Sequence, residues 1–580
     1  MLSTMQDGQL GIRRLLEAGS GFFGSATVTT ALAASPEVTL ETVSYAQVGE
    51  NVARLAHALA GLGVEPGDRV ATFMWNNRAH LEAYYAAPCM GAVIHPLNIR
   101  LLGEQVTFIA NHAEDKILIA DASLLGLLRP LLPAMKTVEH LIVVGAAPLD
   151  EIRAEQLSSG RAGLAVHDYD ALLAAGETEY PWPELDEHQA AAMCYTSGTT
   201  GDPKGVLYSH RSIVLHALSI CLPGAFGLSS DDRMLLVVPQ FHVMAWGIPY
   251  VAFLSGTSMV MPGPFLPAAS LAAVIAAARP TKAAGVPTIW QALLTHLDAH
   301  PEIDVSCLRE AIVGGSACPP SLLDAYAERL GIALVHAWGM TEMSPLGTVS
   351  RVPAEMTGEP ARRRLLSQGR FSPLVEARIV GPDGTALPTD GQSTGEVEVR
   401  GPWIAASYYS GGGGTGQPCG TNGTGQADGI GRPTGRADAE DKFRDGWLRT
   451  GDVGAITSDG FLTLTDRLKD VIKSGGEWIS SVELENELMA HPCVREAAVI
   501  GVPDESWGER PLACTVLTPD ARVSPADLRA HLAGRVARWQ VPERWAFVDE
   551  VPKTSVGKFD KKLLRQRHAD GDLVVTVAAD

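Results

Sequence analysis

The first two thirds of the chain alternate between helical and strand-like patterns of hydrophobic residues. Apolar side chains recur at helical spacing through residues 51–62 and stop at Gly63, which predicts an amphipathic helix. The other predicted elements are strands at 69–75, 117–120, 140–144, 234–238 and 311–313 and a helix at 271–278. Strands that alternate with helices are typical of layered α/β domains whose sheets are largely parallel.

A second, smaller α/β pattern follows the string DRLKD, and we place a domain boundary there, at residues 466–469. Its predicted elements are a helix at 481–489, a strand at 497–502 and a helix at 526–538. Since 580 residues exceed what one core normally holds, at least two domains are expected. The predicted fold class is α/β, with a large N-terminal domain of layered sheets and helices, residues 1–468, and a small mobile C-terminal lid, residues 469–580.

Residues 411–436 interrupt the pattern, because eleven of these 26 residues are glycine and almost none is apolar. Such a segment cannot offset its chain entropy by burial, so a flexible surface loop is predicted. It does not mark a domain boundary, since a motif-bearing string, DGWLRTGD, follows at residues 445–452.

The composition is that of an ordinary globular protein, with 46% hydrophobic and 19% charged residues. A net charge of -20 argues against nucleic-acid binding, which needs a basic face, but it is compatible with binding a nucleotide. Eight scattered cysteines without a CxxC pair predict reduced thiols. No signal-peptide pattern is evident, and the apolar run at 243–254 is too short to span a bilayer, so a cytoplasmic location is expected.

The most informative string is YTSGTTGDPKGV, residues 195–206. Small residues let the backbone approach an anion, hydroxyls donate hydrogen bonds and Lys204 adds a mobile positive charge. A Walker A loop would need Ser or Thr after the lysine, and Gly205 stands there. The string therefore predicts a different loop for triphosphate. Its predicted ATP contacts are Thr196, Ser197, Gly198, Thr199, Thr200, Gly201 and Lys204.

The full string resembles the phosphate loop of the adenylate-forming superfamily, which includes acyl-CoA synthetases, luciferases and peptide-synthetase adenylation domains. Residues 338–342 (WGMTE) resemble its aromatic-Gly-x-Thr-Glu motif, and residues 466–483 (DRLKDVIKSGGEWISSVE) resemble the signature of fatty acyl-CoA synthetases. Residues 314–320 and 336–346 also resemble ligases that act on methylthio-propionate. The resemblance runs from about residue 40 to residue 565, interrupted by the glycine-rich segment.

The resemblance implies how ATP would be held. Trp338 would stack on adenine, Thr341 would contact phosphate, and Glu342 would coordinate Mg²⁺, a hard cation that prefers oxygen ligands. Asp452 and Arg467 would bind the ribose. Where the family often has tyrosine, Trp338 keeps the stacking face and loses the hydroxyl. Further ATP contacts are expected from Gly315, Ser316, Gly339 and Met340, and a second metal ligand from Thr196.

The resemblance also implies an acyl site. His242 would lie where the acyl and CoA channels meet, and Trp246 would gate the acyl tunnel. Gly314 and Ala317 would line the pocket. Packing of Trp246 as an ordinary core aromatic is an equally good interpretation, so its gating role stays open.

Two lysines of the lid would serve separate steps. Lys558, in PKTSVGK, would be the catalytic lysine that bridges the substrate carboxylate and the α-phosphate. Lys469 would be the hinge about which the lid turns. In a second conformation Lys473, also a catalytic candidate, would face CoA together with Gly475, Gly476 and Trp478. Trp478 stands where aryl-acid relatives carry another residue, which favours alkyl acids.

The expected activity is that of an ATP-dependent acid–CoA ligase, which uses ATP, CoA and Mg²⁺. Medium- to long-chain fatty acids are the favoured substrates. Three alternatives remain open: a short acid such as 3-methylthiopropionate, transfer of the acyl group to a carrier protein, and an acid-binding protein with a vestigial ATP site. The expected partners are the carboxylic acid, ATP and CoA, without nucleic acid. Peripheral membrane contact and a homodimer are left open.

Overall fold

The computed structural model of the protein describes residues 3–35, 37–158, 163–196, 203–411, 441–474, 477–519, 521–554 and 557–578. Most of the glycine-rich segment falls in the gap at 412–440, so its predicted flexibility stays a prediction.

The strands are short and mostly buried. In chain order they are β1 (Thr27–Ala34), β2 (Val38–Ser44), β3 (Arg69–Phe73), β4 (Val93–Pro96), β5 (Asp115–Asp121), β6 (His140–Val144), β7 (Ala165–Asp168), β8 (Ala190–Tyr195), β9 (Gly205–Ser209), β10 (Arg233–Leu236), β11 (Ser258–Met261), β12 (Lys282–Gly285), β13 (Glu310–Val313), β14 (Ala333–Gly339), β15 (Leu346–Val349), β16 (Gly369–Phe371), β17 (Glu376–Val380), β18 (Ala386–Leu387), β19 (Gly395–Arg400), β20 (Phe443–Arg444), β21 (Trp447–Ile456), β22 (Phe461–Arg467), β23 (Ile472–Ser474), β24 (Glu477–Ile479), β25 (Val494–Asp504), β26 (Gly508–Leu517), β27 (Arg544–Phe547) and β28 (Thr576–Val577).

The helices lie between and outside the sheets. They are α1 (Ile12–Glu17), α2 (Tyr45–Gly61), α3 (Arg78–Cys89), α4 (Gly103–Ala113), α5 (Leu125–Leu128), α6 (Leu149–Ser158), α7 (Tyr169–Ala175), α8 (His210–Cys221), α9 (Ile248–Ser255), α10 (Ala268–Ala278), α11 (Pro287–Ala299), α12 (Pro320–Ala325), α13 (Gly358–Leu366), α14 (Ser481–Met489), α15 (Pro525–Leu532) and α16 (Lys561–Ala569).

Three sheets organise the chain. A seven-stranded sheet has the order β7-β6-β5-β3-β4-β8-β9 and is parallel except at its last pair. A 15-stranded sheet is parallel through β1 and β10 to β14 and antiparallel from β14 to β22. The prediction of parallel sheets therefore holds for the first sheet and for part of the second. The antiparallel part, which carries residues 346–467, was not predicted.

The main core lies between these two sheets. Helix α3 is buried over residues 79–89, and its Tyr84 belongs to the same apolar cluster as Val70 and Ile94 of one sheet and Met234 and Met259 of the other. Complete burial of a side chain of this size contributes about 1.5–3 kcal/mol. Strands of both sheets are thus joined through one core.

The third sheet, of six strands, contains only strands that begin after residue 471. Apolar side chains cover both of its faces, from Leu484 and Leu528 on one side and from Leu564 on the other. The part of the chain predicted to be a lid therefore has its own core. The boundary at residues 468–469 and the mobility of the lid stay predictions.

Element ends differ from the predictions where local chemistry decides them. Helix α2 begins at Tyr45 rather than at residue 51, because Ser44 and Gln47 form a capping box ahead of it. The predicted helix 526–538 is wrong over its last residues: α15 ends at Leu532, since Ala533 is extended and Gly534 has a φ of +81°. Over the described ranges no helix is both long and apolar enough to cross a membrane.

Candidate active site

The predicted phosphate loop joins the antiparallel strands β8 and β9, in which Tyr195 pairs with Gly205. The backbone N–H of Thr196 donates to the carbonyl of Lys204 at 2.9 Å, so the two described ends of the loop are held together. The remaining predicted contacts of this loop lie outside the described residues, namely Ser197, Gly198, Thr199, Thr200 and Gly201.

The residues predicted to bind adenine and ribose meet at one carboxylate, that of Asp452. Trp338, near the end of β14, is 8% exposed, and its indole Nε1–H donates to Asp452 Oδ2 at 2.7 Å. Arg467 lies directly opposite Asp452 on the neighbouring strand, with its Nε 3.3 Å from Oδ1. Both oxygens of Asp452 are therefore oriented, and the indole supplies a donor that the sequence analysis did not foresee.

Thr341 and Glu342 lie in a short 3₁₀ turn that follows β14. The Glu342 carboxylate is buried, and its Oε1 accepts a hydrogen bond from the hydroxyl of Tyr408. The carbonyl of Thr341 accepts from the hydroxyl of Tyr208 at 2.7 Å. Just before the turn, a Cβ at Gly339 would lie 2.0 Å from the Pro345 carbonyl oxygen, so glycine is required there.

Lys558 reaches the same cleft from the lid. The backbone of its loop touches the large domain where Thr288 donates to the Gly557 carbonyl at 3.3 Å. A Cβ built on Gly315 would lie 3.4 Å from Cε of Lys558, so the lysine stem passes beside this predicted ATP contact. Ser316 and Ala317 lie on the segment that follows β13, and Met340 lies on the segment that follows β14.

The Lys558 ammonium has an altered acidity. Burial lowers its pKa to about 8, and Arg467 lowers it in the same direction, while Asp452 and Glu342 oppose the shift. Lys469 also lowers this pKa, so two carboxylates and two other cations lie within electrostatic range of the ammonium. At neutral pH the lysine remains mostly a cation.

His242 borders the same cleft and carries no charge at neutral pH. Burial lowers its pKa to about 3, with Lys558 and Arg100 adding repulsion to the charged form. A neutral imidazole can accept or donate one hydrogen bond there, but it is a weak general base.

The backbone around Trp246 is strained. Val243, Met244, Ala245, Trp246 and Gly247 have φ values of 45°, 54°, 48°, 58° and 76°, so this buried turn is left-handed. Non-glycine residues cost roughly 1–2 kcal/mol each in that conformation. Such strain is found at ligand clamps and switch regions. Nothing in the sequence indicates it.

The turn places the Trp246 indole against Gly314, a second residue predicted to line the acyl pocket. A Cβ on Gly314 would lie 3.0 Å from Trp246 Cη2 and 2.9 Å from the Ala337 carbonyl oxygen. Only glycine fits between the indole and this strand end. The two predicted pocket residues are therefore in contact.

The other face of the lid lies away from the cleft. Lys473 is exposed on β23, where its backbone pairs with that of Trp478 on β24. Gly475, Gly476 and the Trp478 side chain lie outside the described residues. Lys469 is exposed in the turn after β22, where Arg565 donates to its carbonyl at 3.4 Å. In this orientation Lys558 faces the cleft and Lys473 faces solvent.

Two exposed tryptophans lie close to Lys473, and sequence reasoning missed both. Trp507 is 56% exposed and precedes Gly508, which pairs with Ser474; Trp539 is 44% exposed. Arg510 joins them, because its guanidinium donates to Ser474 Oγ at 3.1 Å and to the Trp539 carbonyl at 2.8 Å. An exposed indole can stack on a base.

The residues present fit the expected ligands. Within the described residues no three His, Cys, Asp or Glu side chains group as a metal site, and Glu342 is a buried carboxylate. Mg²⁺ is typically held by one or two carboxylates, water and substrate phosphates rather than by a protein cage. One carboxylate beside a phosphate loop therefore suits a metal that arrives with a nucleotide.

Two family models match the chain. The model described as AMP-binding enzyme matches residues 27–409, and the model described as AMP-binding enzyme C-terminal domain matches residues 483–558. The 3-methylmercaptopropionyl-CoA ligase of Ruegeria pomeroyi is 42% identical over 573 residues, 98% of this chain and 99% of that protein. The medium-chain-fatty-acid–CoA ligase of Ectopseudomonas oleovorans is 40% identical and covers 98% of each.

The crystal structure of the anthranilate CoA ligase AuaEII with anthranoyl-AMP matches with a TM-score of 0.82 over 99% of this chain and 100% of that chain. At 24% identity this likeness shows a shared fold. The predicted superfamily and fold class are thereby confirmed. The chain belongs to the AMP-binding enzyme family and has the adenylate-forming fold, with a large N-terminal and a small C-terminal domain.

Proposed function

We propose that the protein is an ATP-dependent acid–CoA ligase. In the first step a carboxylate oxygen attacks the α-phosphorus of ATP, which forms acyl-AMP and releases pyrophosphate. In the second step the CoA thiol attacks the acyl carbon, which forms the thioester and releases AMP. The observation that carries this proposal is the approach of Lys558 to Gly315 of the large domain, with the carboxylates of Asp452 and Glu342 within electrostatic range of its ammonium.

A carboxylate is a poor electrophile, because its charge repels nucleophiles and oxide is a poor leaving group. Replacing the oxide by AMP removes both obstacles, provided that the site stabilises charge at the α-phosphate. Lys558 is proposed to bridge the acid and that phosphate. A single preorganised donor of this kind supplies about 2.7–4 kcal/mol.

The remaining groups of the cleft are proposed to orient ATP. Trp338 and Asp452 would hold adenine and ribose, with Arg467 beside the carboxylate. When bound, Mg²⁺ would neutralise phosphate charge, held by Glu342 and Thr196. Gly315 and Gly339 let the backbone pack closely here, since side chains there would meet Lys558 and the Pro345 carbonyl.

The second step is proposed to use the opposite face of the lid. Turning about Lys469 would withdraw Lys558 and bring Lys473 to the cleft. Trp507 and Trp539 would then stand near the entering CoA, where an indole can stack on its adenine. His242, which stays neutral, would border the entering thiol.

For the acid we propose a linear aliphatic chain, with medium- to long-chain fatty acids as the first candidate. The apolar surroundings of Trp246 and the 40% identical fatty-acid ligase support it. A short acid such as 3-methylthiopropionate is the second candidate. The contact of Trp246 with Gly314, which would shorten an acyl pocket at that point, and the 42% identical 3-methylmercaptopropionyl-CoA ligase support that alternative.

A pyrophosphate-release assay with acids from C3 to C16 and 3-methylthiopropionate tests the activity and the substrate together. The proposal expects release that depends on acid and ATP, and acyl-CoA and AMP when free CoA is added. Release without acyl-CoA formation would favour transfer to a carrier protein, and no release with any acid would favour a binding protein.

A further inference from the structure

Tyr408 contacts two groups of opposite charge at once, the carboxylate of Glu342 and the ammonium of Lys204. Its hydroxyl donates to Oε1 of the buried Glu342 carboxylate at 2.5 Å. The Lys204 ammonium stands over its ring, with Nζ 5.2 Å from the ring centroid. One side chain therefore holds a carboxylate by a hydrogen bond and an ammonium by a cation–π contact.

Several contacts fix the position of Tyr408. The ring of Phe443 meets it edge-on, with centroids 5.1 Å apart. The next residue, Tyr409, donates its backbone N–H to the Gly205 carbonyl at 2.8 Å, which ties this segment to the phosphate-loop hairpin. Upstream, the backbone N–H of Ala405 donates to the Glu342 carbonyl at 2.8 Å. The tyrosine is thus anchored to both elements that it joins.

The arrangement keeps opposite charges from neutralising each other. In the part of the chain that the structure describes, no ion pair joins Lys204 to Glu342. An ammonium and a buried carboxylate attract strongly where water is excluded, and a direct pair would occupy both. A tyrosine that engages each of them separately leaves the carboxylate and the ammonium unpaired with each other and able to take up new partners.

We propose that Tyr408 is a positioning residue for MgATP: it orients Glu342 toward the metal and holds Lys204 toward the phosphates, while it prevents the two from pairing. This inference rests on the proposed function, because it assumes that the cleft binds ATP. It adds a residue that none of the sequence motifs contains. A partner that orients a metal ligand typically affects metal affinity by about 10–100-fold.

Two substitutions separate the two contacts. Tyr408→Phe keeps the ring under Lys204 and removes the hydroxyl from Glu342, whereas Tyr408→Leu removes both contacts. Tyr409→Phe is the matched control, because the Tyr409 ring meets His112, at a centroid distance of 5.5 Å, on the other side of the segment. Circular dichroism and thermal unfolding of each full-length variant confirm that it folds.

The test measures binding rather than turnover. Mn²⁺ binding is followed by electron paramagnetic resonance with a non-hydrolysable ATP analogue present, and analogue binding without metal is followed by calorimetry. We expect Tyr408→Phe to weaken Mn²⁺ binding about tenfold or more, with metal-free analogue binding within about twofold of the unaltered protein. Tyr408→Leu should weaken both, and Tyr409→Phe neither.

Unchanged Mn²⁺ affinity in Tyr408→Phe would overturn the positioning role, and so would an equal loss of metal-free binding in both Tyr408 variants. Failure of the unaltered protein to bind the analogue would instead overturn the proposed function. The two failures are therefore distinguishable.

Discussion

The indole N–H of Trp338 donates to Oδ2 of Asp452 at 2.7 Å, across 114 residues of chain. The side chain expected under the adenine therefore fixes the carboxylate expected at the ribose. Arg467 holds the other oxygen of the same carboxylate. Where the superfamily motif often has tyrosine, Trp338 supplies an indole donor to Asp452.

Trp338→Phe tests that link, since it keeps an aromatic face and removes the donor. A hydrogen bond to a charged group contributes about 1.5–3 kcal/mol, and Arg467 would compensate for part of it, so we expect KM for ATP to rise about tenfold. Trp403→Phe is the control, because it removes a buried indole bond to the Leu346 carbonyl and should lower stability without altering KM for ATP. Equal KM values for ATP in the unaltered protein and in both variants would show that the Trp338–Asp452 hydrogen bond does not contribute to ATP binding.

The acidity of Lys558 predicts the pH dependence of acyl-AMP formation. Because burial lowers its pKa to about 8, the ammonium is present below that pH and is lost as the pH rises through it. With the ammonium as the active form, kcat/KM for acyl-AMP formation should fall about tenfold per pH unit above pH 8. Lys558→Arg should be slower but should not show this fall, since a guanidinium stays charged. The same alkaline fall in both proteins would assign it to another group.

Trp246 should control the preferred length of the acid. If its indole gates an alkyl tunnel, each methylene that enters contributes up to ~0.8 kcal/mol of binding, so kcat/KM should rise from C4 to C8 or beyond. Trp246→Ala should flatten that rise or change the preferred length. A maximum at C3–C5 that Trp246→Ala leaves unchanged would contradict the tunnel and favour the short-acid alternative. Measurement of kcat/KM from C3 to C16 with both proteins decides between them.

Trp507, the exposed tryptophan next to Lys473, should affect the use of CoA and not the formation of acyl-AMP. Stacking of a base on an aromatic side chain contributes about 1–3 kcal/mol, so Trp507→Ala should raise KM for CoA about tenfold and leave acyl-AMP formation unchanged. Phe547→Ala is a matched control, because Phe547 is 40% exposed on the same lid and pairs with Thr515, at the other end of β26 from Gly508. A similar effect of both variants, or an effect of Trp507→Ala on pyrophosphate release, would argue against a CoA contact.

Much of this site could be predicted because its chemistry is concentrated in short strings. Asp452 and Arg467 were expected together from their motifs, and the register of β21 and β22 places them opposite each other. Strand β6 and helix α14 begin and end where their apolar patterns do. In these cases local sequence and tertiary structure agree.

Other features depend on contacts between distant segments and leave no local pattern. Tyr408 reaches Glu342 across 66 residues, and neither side chain indicates the other in the sequence. The left-handed turn that carries Trp246 opposes the conformational preference of its residues, so it must be imposed by the packing around it. Such features become visible only once the fold is known.

The central claim is that Lys558 serves acyl-AMP formation and that the opposite face of the lid serves thioester formation. The most direct measurement compares the two half-reactions of Lys558→Ala with those of Lys553→Ala, an exposed lysine of the same lid that pairs with Glu496. Lys558→Ala should lose at least about 10²–10³-fold in acyl-AMP formation and still convert supplied acyl-AMP and CoA to acyl-CoA, whereas Lys553→Ala should keep both activities. Equal loss of both half-reactions in Lys558→Ala would contradict the account.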